Sequence, residues 1–178
     1  MARVKLIAAD EHPELSGLVE KLRAGRRGRL LNIYRTLLNT PPLAESWFNH
    51  SNTVRWKTTL SGRLREIVII RMGHLTGSQY VLRQHVPSLA LADGVSLKEC
   101  DALADWRASR LFSASERAVL AYADTMTRDI AVPDEVFAQL KRHFDARQIV
   151  ELTVLIGTYN MNARVLTALE LDLEPLAP

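Results

Sequence analysis

Two apolar runs restrict the fold more than anything else in the chain: IVII at 67–70 and IVELTVLI at 149–156. Neither belongs to a long stretch with period-two alternation, so neither reads as a half-buried strand. Both lie inside longer segments of helix formers, which makes each a buried helix. Helical periodicity dominates elsewhere, and no two runs are joined by a good hairpin turn. The expectation is an all-α protein with helices over 14–24, 28–39, 42–54, 62–75, 77–92, 96–104, 115–129, 133–143 and 146–168. Local signals support these bounds. Thr40-Pro41-Pro42 stops one helix and opens the next, because proline is tolerated in a first turn. Ser113 and Glu116 have capping-box spacing, and Asp134 and Glu135 after Pro133 suit the positive end of a helix dipole. Gly94 suits a left-handed helix end.

The chain has 178 residues, 47% of them hydrophobic and 24% charged, enough for one packed domain and unlike a disordered segment. The best candidate seam, DWRASRLFSAS at 105–115, is short, so residues 1–178 read as a single domain with a core at about 28–172. No apolar run reaches the roughly 18–20 residues of a membrane span, and the first residues have too short an apolar stretch for a secretory signal. A cytoplasmic protein without a membrane partner is expected.

Charge is uneven. Residues 1–85 carry 14 Lys/Arg against 6 Asp/Glu, and residues 86–178 carry 9 against 14, so the halves hold +8 and −5. The basic run RAGRRGR at 23–29 reads as a solvated face more readily than as a nucleic-acid site. Opposite halves would suit subunits meeting basic side to acidic side, or a site that draws anionic substrates. Cys100 is the one cysteine, so an internal disulfide and a CxxC pair are excluded, and its helical setting suggests a buried thiol. The five histidines never pair at helical spacing, which excludes a metal site built on them, and there is no phosphate-binding glycine loop. No metal and no cofactor is expected.

Chemistry concentrates at 65–86, REIVIIRMGHLTGSQYVLRQHV. On a helix over 77–92, Ser78, Val81 and His85 share one face, with Tyr80 to one side. Glu66 lies early in the preceding helix, and two consecutive antiparallel helices could bring it to His85. A carboxylate beside an imidazole raises the imidazole pKa and fixes its tautomer, which suits proton transfer to a bound molecule. The structural alternative is a first-turn acid, a helix-end histidine and a core tyrosine. GTYNMNAR at 157–164 puts Tyr159, Asn160, Asn162 and Arg164 at the end of the last helix, where a polar network at a subunit contact or a substrate pocket both fit.

These residues, together with LLNIYRTLLNTPPLAESW (30–47), ALADGVS (90–96) and IVELTVLIGTYNMNARVLTALELDLE (149–174), resemble the carboxymuconolactone decarboxylase and alkylhydroperoxidase-D-like (AhpD-like) superfamily. The peroxidase branch has a glutamate, eleven residues, a CxxC pair, three residues and a histidine. Here that frame gives Glu66, Ser78, Val81 and His85: both ends match and both cysteines are missing. Serine and valine cannot attack a peroxide and resolve a sulfenate, so thiol peroxidase chemistry is not expected. The resemblance implies an AhpD-like helical bundle, a homo-oligomer of three or six subunits, and a decarboxylase or related proton-transfer enzyme for a small carboxylated or lactone-like molecule. Glu66, Tyr80 and His85 become the catalytic candidates. Arg71, Ser78, Val81, Trp47 and His50 become the candidates for substrate contact. Other readings remain a redox protein working through Cys100 and an oligomeric binding protein without chemistry.

Overall fold

A computed structural model describes residues 2–174. Among them there is no strand, and the fold is all-α as expected. The helices are α1 (Ser16–Ala24), α2 (Asn32–Leu37), α3 (Pro41–Trp56), α4 (Gly62–Thr76), α5 (Gln79–His85), α6 (Leu97–Ala102), α7 (Ala114–Arg128), α8 (Asp134–Lys141) and α9 (Ala146–Ala168). The chain divides into two compact units: a first made of the residues up to 57 with those from 165 onward, and a second of residues 58–164.

In the first unit, α1–α3 close over an aromatic contact. Tyr34 and Phe48 meet edge to face with centroids 5.8 Å apart, and the Arg26 guanidinium lies 5.2 and 5.0 Å from the two rings. Arg26 Nη2 also donates to the Tyr34 hydroxyl at 2.6 Å. The predicted helix over 28–39 starts late, at Asn32. Arg27 and Gly28 have φ of 55° and 78°, and a left-handed pair cannot begin a right-handed helix.

The second unit is built on α4. Its residues 65–73 are all buried, with Ile67, Val68, Ile69 and Ile70 fully so. One face of α4 meets the cluster of Ala90, Val95, Cys100, Leu103, Trp106, Phe112 and Leu120. Each such side chain contributes about 1.5–3 kcal/mol by leaving water. Ser61 caps α4 by accepting from Leu64 N–H at 3.2 Å, and Gly77 ends it with φ 64°. Ser96 with Glu99 and Ser113 with Glu116 form full capping boxes at α6 and α7, the second as its spacing predicted. Gly94 takes the left-handed conformation expected of it, with φ 78°.

The segment after α4 departs from expectation in one respect. A single helix over 77–92 is expected, but α5 gives way after His85 to a π turn at Val86–Ala90. Pro87 lacks the N–H that the α ladder needs, and widening the turn absorbs the defect. The close crossing of α4 and α5 depends on Gly73. A Cβ there would lie 2.7 Å from Leu82 Cδ2. Among the described residues, no helix is long and apolar enough to cross a membrane.

Candidate active site

Glu66 stands in the second turn of α4, and its side chain is fully buried. His85 is the last residue of α5, 6% exposed, where the helix opens into the π turn. The two meet. Glu66 Oε2 and His85 Nδ1 are 2.6 Å apart, the length of a charge-assisted hydrogen bond. With Nδ1–H donating to the carboxylate, the tautomer is fixed and Nε2 becomes the working nitrogen.

What Nε2 faces is Tyr159, on α9. The phenol oxygen lies 3.3 Å from Nε2, and the rings meet edge to face at 5.6 Å and 79°. That contact is at the long end of the hydrogen-bond range. The result is a buried line of carboxylate, imidazole and phenol drawn from three helices.

Tyr80 is buried on α5 at 8% exposure. A second phenol, that of Tyr159, lies opposite His85. Ser78 is the N-cap of α5 and accepts from Val81 N–H at 3.4 Å; both residues are buried. They occupy the two positions where the peroxidase frame carries thiols, and there they serve a helix start and core packing. Trp47 and His50 lie on α3, in the first unit, half-buried and exposed.

Arg71, expected to face a substrate anion, is instead enclosed. Its Nε and Nη2 donate to the two oxygens of Asp124 at 2.6 and 2.9 Å, and Nη1 donates to the Leu103 and Ala104 carbonyls at 2.8 and 2.9 Å. Asp124 also takes Trp106 Nε1 at 3.2 Å and Arg107 Nη1 at 2.6 Å. Burial pushes the Asp124 carboxyl up, but the bonds from Arg71 and Arg107 outweigh it and hold the group below its usual range. Arg71 is therefore a tie between α4, α7 and the turn after α6.

Cys100 is 1% exposed in the core. Burial, and then the charges of Asp101 and Glu99, push its thiol up to about 11. At pH 7.5 the native protein should therefore alkylate with iodoacetamide at least ~100-fold more slowly than the same chain in denaturant, since the thiolate reacts and the free pKa is about 8.5. Mass spectrometry reads both rates, and equal rates would contradict the buried, protonated thiol.

An open groove of about 630 Å³ runs between α7 and α8, walled by Trp106, Arg117, Ala118, Val136, Gln139 and His143 among others. None of the candidate residues lines it. Among the described residues, no cluster of His, Cys, Asp or Glu could hold a metal ion.

The sequence profile of the Carboxymuconolactone decarboxylase family matches residues 41–125. The uncharacterized protein YnjA of Escherichia coli is 32% identical over 124 residues, 68% of this chain and 67% of that protein. A crystal structure of a protein of unknown function from Agrobacterium tumefaciens superposes with a TM-score of 0.73 at 25% identity, covering 78% of this chain and 95% of that one. An uncharacterized peroxidase-related protein from Silicibacter sp. TM1040 gives 0.83 at 19% identity, over 96% and 91% of the two chains, which shows likeness of fold.

Proposed function

The chain belongs to the carboxymuconolactone decarboxylase family, within the AhpD-like superfamily, and from that membership we propose an acid–base enzyme that works without a cofactor on a small carboxylated or lactone-like molecule. One observation carries the reading: a buried imidazole whose Nδ1 is bound to Glu66 at 2.6 Å turns its other nitrogen to the Tyr159 phenol at 3.3 Å. A substrate oxygen could take the place of one partner of that second contact.

In the reaction proposed, the bond from the substrate's carboxylate to the adjacent carbon breaks. CO2 leaves, and the electron pair stays behind as an enolate-like anion. The Tyr159 hydroxyl donates to the developing oxyanion. His85, as the imidazolium that Glu66 stabilises, delivers the proton on Nε2 to the carbon, is left as the neutral Nδ1–H tautomer, and recovers a proton from solvent. Tyr80, Ser78 and Val81, buried on the same short helix, would shape the space beside it.

The test is a panel of small lactone acids and β-keto acids, offered without added metal or nucleotide and followed by CO2 release. Turnover of at least one member is expected. Turnover of hydroperoxides with a dithiol reductant, against no release from any acid, would overturn the proposal in favour of the peroxidase branch. That branch has little to work with here, because Ser78 and Val81 replace the thiols and Cys100 is buried.

A homo-oligomer is part of the proposal. Val150, Val154 and Met161 leave 61%, 42% and 38% of their surface exposed along one side of α9. That apolar stripe suits a second copy of the chain. Light scattering should give at least twice the 20.0 kDa of one chain, and a clean monomer would refute it.

A further inference from the structure

We infer that Asp93 is a positioning residue for the Glu66–His85 pair, acting through Arg65; this rests on the proposal that the pair is the reacting one. Arg65 immediately precedes Glu66 on α4 and is itself buried, at 6% exposure. Its Nη2 donates to Asp93 Oδ2 at 2.7 Å, while its Nε stands 3.8 Å from Glu66 Oε1. The other Glu66 oxygen holds His85 at 2.6 Å. The charged groups therefore run Asp93, Arg65, Glu66, His85, with Tyr159 beyond.

In such a row a guanidinium stands between two carboxylates, and a carboxylate stands between a guanidinium and an imidazole. Arginine closes on carboxylates through short, paired N–H bonds whenever geometry allows. Asp93 satisfies that demand from the far side. It keeps Arg65 near enough to favour an ionised Glu66, yet far enough to leave the carboxylate to His85. Without Asp93, Arg65 would swing onto Glu66 and compete with the imidazole.

The backbone holds Asp93 in place. It follows the π turn, where its N–H is shared between the Leu89 and Ala90 carbonyls at 3.1 and 3.2 Å. Its carboxylate reaches Arg65 across the first residue of α4, Gly62. A Cβ at position 62 would lie 2.1 Å from Asp93 Oδ1 and 2.5 Å from Cγ. Glycine there is what lets the acid come in. Tyr159 on α9 also faces the pair, and the Cys100 thiol on α6 feels the negative charge of Glu66.

The experiment is an NMR titration of His85 in the full-length protein, comparing the native sequence with Asp93→Asn and Gly62→Ala. Two signals are read: the titration midpoint and the downfield Nδ1–H resonance that a short bond to a carboxylate produces. Both variants should lower the midpoint by about one pH unit, the size of a partly lost carboxylate partner. Both should also move the Nδ1–H resonance upfield. Gly62→Ala alters no charge, so a shift in it reports position and not simple electrostatics. Unchanged signals in Asp93→Asn overturn the inference. So does a midpoint that moves in Asp93→Asn but not in Gly62→Ala, which would be a charge effect alone. An Asp93→Asn chain that does not fold also overturns it, Asp93 being then a tie of the fold. Neither signal needs turnover, so the fate of this inference and that of the proposed reaction are read separately.

Discussion

Replacing His85 by glutamine should lower kcat at least about a hundredfold on whichever acid the protein accepts, since a positioned acid–base group contributes about 10²–10⁴-fold. The fold should survive. Glutamine can still donate an amide N–H to the buried Glu66, so the carboxylate that loses its 2.6 Å bond to the imidazole is not stranded. A stability cost of about 0.5–3 kcal/mol is the ordinary range for such a change. Glu66→Gln should act in the same direction but less steeply, because Glu66 orients the imidazole and does not carry the transferred proton. The double variant should lose little more than His85→Gln alone, as for groups acting as a unit. Steady-state rates and thermal melts on the four proteins separate the two possible roles. A His85→Gln protein that unfolds makes His85 a core histidine, and one with native turnover removes it from the chemistry.

The second large effect is on stability. Asp124→Ala should cost about 3–5 kcal/mol, the range for stripping one partner from a buried ion pair. Arg71, 4% exposed, would keep its charge and lose both carboxylate bonds, and Trp106 Nε1 would lose its acceptor. Replacing Arg71 and Asp124 together with apolar residues should cost less than Asp124→Ala alone, because no charge is then left buried. Urea unfolding measures all three. A single-variant loss below about 1 kcal/mol would contradict the role given to this tie. The same group predicts an acid limb. Its folded-state pKa is held down, so its contribution is full above the unfolded value of about 3.9 and is lost as pH falls through the folded one. Stability of the native sequence should therefore fall below about pH 4, and that of Asp124→Asn should fall less.

Legibility followed sequence distance. Glu66 and His85 are 19 residues apart on consecutive helices, so helical spacing and a short turn were enough to pair them. Tyr159 is 74 residues from His85, and nothing in the spacing of 65–86 points to it. Tyr80, within the same stretch, is the phenol that local spacing offers as a neutral donor. The signal that existed was a polar cluster, GTYNMNAR, inside an otherwise apolar helix, where a buried tyrosine must find a partner. The ion pair of Arg71 was hidden for the same reason of distance, since its carboxylate, Asp124, is 53 residues away on α7. Local structure was read more completely. The Ser113–Glu116 capping box, the left-handed Gly94 and the proline-led start of α3 are written in neighbouring residues. Where bounds slipped, at Asn32 and at the π turn, the cause was also local: a left-handed Arg27-Gly28 pair and Pro87.

Whether His85 delivers the proton is tested most directly by turnover in D2O of an acid from the panel whose product has a stereocentre at the carbon that lost CO2. A donor held on one side of the substrate should leave one deuterium there in a single configuration, with His85→Gln slowing its incorporation in step with kcat. Product labelled equally in both configurations, or labelled at the native rate without the imidazole, would contradict it.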